Sequence, residues 1–164
     1  MIIVADSSPL ISFAILNKLQ VLEKVFGDIL IPVAVYHEIT QKNKPFTEEL
    51  EEFAKDRTRK IKNQLAVNLL RKNLDSGESE AIILAIENNI PNILMDEYKG
   101  RKIAKEEGLH PIGTIGVLIQ AKRENIIKNV KPELDRLIKN HIRISDELYS
   151  TALDLANENQ TTNK

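Results

Sequence analysis

Apolar residues along this chain fall into two alternating rhythms: short, continuous β-branched runs and longer stripes at helical spacing. Ile2-Ile3-Val4-Ala5 reads as a buried strand, and Ser8-Pro9 after it supplies a helix start with Pro9 at the first helical position. That first helix is expected over about residues 9 to 17. Leu19, Val21, Leu22 and Val25-Phe26 predict a second short helix closed by Gly27, and residues 28 to 31 read as the next strand. Pro32 starts a helix on which Val35 and Ile39 share a face, with Glu38 near its edge. Residues 41 to 46 are polar and contain a proline, so they read as a loop. Residues 47 to 55 are an acidic block, 57 to 62 a basic one, and Leu65, Val67, Leu69 and Leu70 point to a further helix.

The second half repeats the alternation more strongly. Ser76-Gly77-Glu78 opens a helix whose Ala81, Ile82, Leu84, Ala85 and Ile86 are almost continuously apolar, as a helix packed deep against a sheet should be, and Pro91 ends it. Residues 92 to 95 form a strand leading into Asp96, residues 100 to 107 a helix stopped by Gly108, and residues 110 to 112 a brief strand. Thr114 is expected to cap a helix over 115 to 121, with two more helices at 132 to 139 and 145 to 157. Strands separated by helices predict an α/β fold, a parallel β-sheet flanked by helices with right-handed crossovers. Residues 1 to 158 read as one domain and 159 to 164 as a frayed polar tail.

Composition narrows the chemistry. With 42% hydrophobic residues in 164, the chain can bury a core of its own. Basic and acidic residues number 23 and 24, so net charge gives no sign of a nucleic-acid or membrane partner, and any such partner must meet a local patch. The absence of cysteine removes disulfides, thiolate zinc sites and cysteine nucleophiles. Three scattered histidines form no metal motif. No apolar run approaches the roughly 20 residues of a membrane span and no basic segment precedes the first apolar run, so a cytoplasmic protein with no membrane partner is expected.

What remains is oxygen chemistry. Asp6 follows the first strand, Glu38 lies on the helix after the second, Glu78 and Glu80 lie in the first turns of the helix from Ser76, and Asp96-Glu97 follow the strand at 92 to 95. Each has an ordinary use: Asp6 and Asp96 as helix caps, Glu78, Glu80 and Glu97 as first-turn acids favoured by the helix dipole, Glu38 as a solvated side chain. Together, beyond the carboxyl ends of parallel strands, they imply a shared site. Clustered carboxylates repel one another unless a cation neutralises them, and Mg²⁺ or Mn²⁺ takes oxygen ligands without needing histidine or cysteine. Such a site suits phosphodiester hydrolysis, with Ser7 in reach of a water or a phosphate oxygen.

The segments Asp6-Ser7-Ser8-Pro9-Leu10-Ile11, Pro32 with Val35-Tyr36-His37-Glu38-Ile39, Leu74-Asp75-Ser76-Gly77-Glu78-Ser79-Glu80-Ala81-Ile82, and Leu94-Met95-Asp96-Glu97-Tyr98-Lys99-Gly100-Arg101-Lys102 resemble those of the PIN-domain nucleases, most closely a VapC-like branch. The likeness covers roughly residues 1 to 125 and extends to Ile112-Gly113-Thr114-Ile115-Gly116-Val117-Leu118. It implies a three-layer sandwich and an endoribonuclease dependent on Mg²⁺ or Mn²⁺, with Asp6, Glu38, Glu78 and Asp96 as catalytic and metal-holding acids and Glu80 and Glu97 secondary to them. Glu78 stands where many relatives have aspartate. The resemblance also implies RNA as substrate, a toxin paired with a small antitoxin protein, and a homodimer.

Phosphate contacts need cations near the acids, and Lys99, Arg101 and Lys102, which follow Asp96 directly, are the first candidates with Ser7. Lys105 and the block Arg57, Arg59, Lys60 and Lys62 are further ones. Aromatic residues are only 4%, so extensive base stacking is not expected; Tyr98 is the one aromatic beside a candidate acid. A non-catalytic RNA-binding or regulatory module with the same fold is the main alternative. An aspartyl phosphotransferase is disfavoured because Ser8 stands where the usual second aspartate would be, and a dinucleotide-binding fold because no glycine-rich loop follows the first strand.

Overall fold

The computed structural model describes residues 1 to 159, so all of the expected frayed tail except Asn159 lies outside the described residues. Five strands, β1 (Ile2–Ala5), β2 (Asp28–Pro32), β3 (Thr58–Arg59), β4 (Asn92–Leu94) and β5 (His110–Ile112), form one sheet in the order β3-β2-β1-β4-β5. Every neighbouring pair is parallel, with Val4 opposite both Leu30 and Ile93. Helices fill the crossovers. They are α1 (Ser7–Ile15) and α2 (Leu19–Phe26), α3 (Val33–Ile39) and α4 (Thr47–Ala54), α5 (Gln64–Leu70) and α6 (Ser76–Glu87), then α7 (Tyr98–Glu106), with α8 (Thr114–Arg123), α9 (Lys131–Lys139) and α10 (Asp146–Leu155) after the last strand.

Alternation along β1 builds the three layers. Ile3 and Ala5 enter one apolar cluster with Leu10, Phe13, Leu22, Val117, Leu134 and Leu153, which covers the face carrying α1, α2 and α8 to α10. Val4 enters the other with Ile82, Leu84, Ile93 and Ala104, on the face carrying α6 and α7. A strand buried on both faces must be apolar at every position, which is why 2 to 5 is a continuous run.

The connection order places the site. The chain runs from β1 outward to β2 and β3, then returns across the sheet to β4 on the other side of β1. Between the carboxyl ends of β1 and β4 the winding direction reverses, leaving a crevice that no crossover covers. Asp6 and Asp96 stand at its two walls.

Several element limits differ from expectation, each for a local reason. The acidic block is itself a helix, α4, because Leu50, Phe53 and Ala54 lie on one face and are buried while the glutamates face water. The basic block contains β3, two residues pairing Ile31 and Pro32 with Thr58 and Arg59, too short to show any periodicity. α1 begins at Ser7, so Pro9 sits one turn inside its start, where a missing N–H costs nothing. α7 begins at Tyr98 and carries Gly100 within its first turn. α8 begins at Thr114 with Gly113 as its cap residue, because Thr114 uses its hydroxyl elsewhere. Ser145 caps α10 as expected, accepting from Leu148 N at 3.1 Å. Among the described residues no helix is long and apolar enough to cross a membrane.

Candidate active site

Asp6 is the hinge of the crevice. Its backbone N–H continues the sheet by donating to the Leu94 carbonyl at 2.9 Å, which fixes its side chain at the seam between β1 and β4. The carboxylate is 2% exposed, and its Oδ1 has no hydrogen-bond partner. Burial pushes its pKa from 3.8 to about 7; the Ser7 N–H opposes this in part, and the negative charges of Asp75, Glu38 and Asp96 add to it. A buried acceptor with no donor is costly, and a cation is the partner that would satisfy it.

Glu38 arrives from α3, half-buried. A Cβ on Gly77 would stand 3.0 Å from Glu38 Oε2 and 3.3 Å from Asp6 Oδ1. The two carboxylates therefore converge on one point, which stays open because residue 77 has no side chain. Gly77 lies in the first turn of α6, and that turn carries the next acid.

Glu78 is buried, and its pKa is pushed from 4.5 to about 8 by burial, by a hydrogen bond to the Asp75 carboxylate, and by the charges of Asp75, Asp6 and Glu97. Asp75 is the cap of α6, its Oδ1 accepting from Glu78 N at 2.8 Å, so one short turn presents both acids to the crevice. Asp75, which sequence reading did not single out as a site residue, thus acts on both Asp6 and Glu78. An aspartate one residue before Ser-Gly-Glu is a strong cap signal and would have placed it. Glu78 Oε2 would lie 2.8 Å from a Cβ on Gly100, so this glycine makes room in α7 as Gly77 does in α6.

Asp96 is held from the opposite wall. Its Oδ1 accepts from Thr114 N and its Oδ2 from the Thr114 hydroxyl, both at 2.7 Å, which locks the carboxylate onto the start of α8. A Cβ on Gly113 would meet Asp96 Oδ1 at 3.0 Å and Arg101 Nη1 at 3.1 Å. Three of the six glycines thus border acid oxygens. Sequence reading gave no sign of this packing, because it joins segments far apart along the chain.

The remaining predicted positions divide. Glu97 is the exposed cap residue of α7, near enough to act on Glu78. Glu80 points toward α3, where its Oε1 accepts from Ala34 N at 3.1 Å and satisfies a first-turn amide. Ser7 is buried in the first turn of α1. Arg101 donates from Nη1 to the Met95 carbonyl at 2.9 Å, so it braces the segment carrying Asp96, while Lys99 and Lys102 are exposed. Arg57 is also committed: it pairs with Glu23, donates to the Phe53 carbonyl at 2.6 Å and lies over the Phe53 ring.

Among the described residues no three of these side chains stand together as a ready set of metal ligands. Asp6 and Glu38 form one pair, Asp75 and Glu78 a second, and Asp96 a third element already bonded to Thr114. The donor chemistry nevertheless fits a hard divalent cation: oxygen donors only, one buried oxygen without a donor, and an open cradle at Gly77.

The model of a family described as a PIN domain matches residues 2 to 158. No curated protein and no solved structure matches the chain.

Proposed function

Because the chain belongs to the PIN-domain family, a family of nucleases, we propose that it is a Mg²⁺- or Mn²⁺-dependent endoribonuclease whose active site is the crevice between Asp6 and Asp96. The observation that carries this reading is Asp6: a buried carboxylate with one oxygen unpartnered, facing Glu38 across an open glycine cradle at the point where the sheet reverses.

Asp6 and Glu38 would hold the cation, with Glu78 and Asp96 completing the negative surround, Asp75 and Glu97 adding their charge to it, and Glu80 turned to Ala34 N. A cation bound there supplies charge neutralisation and the activation of water that phosphodiester hydrolysis requires. The protein's own groups set the rest. Thr114 fixes the orientation of Asp96, and Arg101 holds the Met95 carbonyl and so the turn that carries it. Glu78, whose carboxyl pKa burial and Asp75 push up to about 8, would give up its proton when a cation is held there. Lys99 and Lys102, exposed on α7, are placed to meet RNA phosphates.

The finer readings are a VapC-like branch, a homodimer and a small antitoxin that blocks the crevice, which rest on the motif resemblance, and residues 1 to 158 as one domain acting in the cytoplasm, which rest on length and composition. The absence of cysteine suits a reducing interior. The second reading, a non-catalytic RNA-binding or regulatory module, is favoured by one observation: no three acids are pre-assembled as ligands among the described residues.

Cleavage of single-stranded RNA by the wild type in Mn²⁺, in Mg²⁺ and in EDTA, beside Asp6→Asn and Glu38→Gln, separates the two. Cation-dependent cleavage lost in both folded variants supports the nuclease. RNA binding with no cleavage, and no heat on titrating Mn²⁺ into the protein or its RNA complex, assigns the module.

A further inference from the structure

A cavity of about 420 Å³ adjoins Asp96, bounded by α1, α8 and the segment of residues 141 to 144 that joins α9 to α10; Asp6, Glu38, Asp75 and Glu78 do not line it. Asp96, Glu97 and Thr114 form its inner edge, so it opens directly beside the candidate active site. Its lining is largely aliphatic, with Ile11 from α1, Ile115 from α8 and Ile142 and Ile144 from the connecting segment, and Ser8, Ser12 and His141 add polar groups. Arg143 is exposed at the cavity and takes part in none of the five ion pairs among the described residues.

We propose that this cavity seats one nucleobase of the RNA, next to the phosphodiester held at the acids, with Arg143 on the neighbouring backbone phosphate; the proposal rests on the nuclease reading and names how that site reads its substrate. A chain whose scissile phosphate lies at Asp6 and Asp96 must continue past one wall of the crevice, and this cavity adjoins the Asp96 wall. Its volume falls at the small end of ligand pockets, roughly 300–1,000 Å³, which suits a single nucleotide better than a length of peptide.

The chemistry matches a base at each edge. Aliphatic side chains from three elements give a flat heterocycle apolar surface to pack against, as in pockets that take a base out of the stack. Glu97 accepts hydrogen bonds only, so it favours a base edge carrying an exocyclic amino donor over one dominated by carbonyl acceptors. The guanidinium of Arg143 supplies the opposite charge for a phosphate that the acids alone would repel. The expected behaviour is therefore base-selective cleavage, with preference for adenine, cytosine or guanine edges over uracil, whose only donor is its ring N–H.

The test uses the full chain in EDTA, so that binding is read apart from turnover. Each of the four nucleoside 5′-monophosphates is titrated into wild type, Leu148→Trp and Arg143→Gln, followed by amide chemical shifts. Leu148 lines the cavity and is 46% exposed, so the larger ring can enter the space from the solvent side. The wild type is expected to show shifts at residues lining the cavity, with uridine monophosphate weakest. Leu148→Trp should weaken binding by about tenfold or more by filling the space a base would occupy, and Arg143→Gln should weaken all four while keeping their order. Thermal melts confirm that both variants are folded.

Cleavage-site mapping on a mixed-sequence RNA in Mn²⁺ runs alongside, and Leu148→Trp should flatten the base preference. Cleavage by the wild type without binding of any monophosphate, or with binding and preference unchanged in Leu148→Trp, overturns the pocket, leaves the nuclease reading intact and assigns the aliphatic walls to a protein partner. Monophosphate binding that Leu148→Trp removes, in a protein that cuts no RNA under any cation, keeps the pocket and overturns the nuclease.

Discussion

Replacing Asp6 by asparagine should stabilise the cation-free protein while abolishing its response to Mn²⁺. Folded Asp6 keeps its proton up to about pH 7, whereas the unfolded carboxyl releases it near 3.8. Between these values the folded state binds more protons than the unfolded one, so stability falls as pH rises through the window and the full loss is felt above about pH 7. At roughly 1.4 kcal/mol per pH unit the interval amounts to about 4 kcal/mol. That is a ceiling, because local relaxation and water entry lower the effective cost of burying charge; about 2 kcal/mol is the expected gain at pH 8. For a chain of 164 residues this is on the order of 4–8 °C in Tm. Asparagine cannot ionise, and its amide has a donor to offer Glu38 across the Gly77 cradle. Thermal unfolding of wild type and Asp6→Asn in EDTA from pH 4 to 9 should show the gap between the two curves smallest at pH 4, widening as pH rises and level above about pH 7, with a smaller slope in the variant and a residual slope from Glu78. Adding Mn²⁺ at pH 8 should raise the Tm of the wild type only. Parallel pH curves, or an equal rise in both proteins, would refute the assignment of Asp6 as the buried charge that a cation relieves.

The glycines provide a contrast within one protein. Gly100→Ala would set a Cβ 2.6 Å from Met95 Sδ and 2.8 Å from Glu78 Oε2, costing roughly 1–3 kcal/mol, whereas Gly116→Ala meets only Ile112 Cγ2 at an ordinary 3.5 Å and should stabilise α8 by about 0.5 kcal/mol; urea midpoints separate them. Thr114→Val removes the hydroxyl bond to Asp96 Oδ2 and keeps the amide bond to Oδ1. It should destabilise by about 1–2 kcal/mol and lower kcat on RNA by about tenfold or more as Asp96 loosens, read by denaturation and by single-turnover cleavage.

Most of the sheet was legible because its strands are buried on both faces and so leave continuous apolar runs. β3 was not, since two residues beside a longer strand carry no pattern of their own. α4 was hidden by composition: four glutamates dominate residues 48 to 52, and only the spacing of Leu50, Phe53 and Ala54 reveals a packed face. The acids following strands, Asp6 and Asp96, were placed by position alone, and Glu78 by the helix start. Tertiary geometry had to supply the division of labour. Glu80, two residues beyond Glu78, lies about 200° further round the helix at 3.6 residues per turn, so it meets α3 while Glu78 meets the crevice. Arg101 and Arg57 read as free cations because nothing in a sequence shows which carbonyl or ring lies within reach of a long side chain.

The fold already directs compensation at the acids, and magnitudes show why it falls short. Asp6, Asp75 and Glu97 are the cap residues of α1, α6 and α7, and Asp96 is bonded to the first residue of α8, so four helix N-termini converge on the crevice. Each contributes typically ~0.3–1 kcal/mol to a nearby negative charge. Their sum reaches the ceiling set by Asp6 alone only if all four act at full strength, and Glu78 remains beyond it with a pKa near 8. At neutral pH the crevice must therefore hold either protons or a cation. A cation entering it displaces protons from Asp6 and Glu78, so its affinity should rise steeply with pH between about 6 and 8, and proton release on binding follows from the burial that raises those carboxyls.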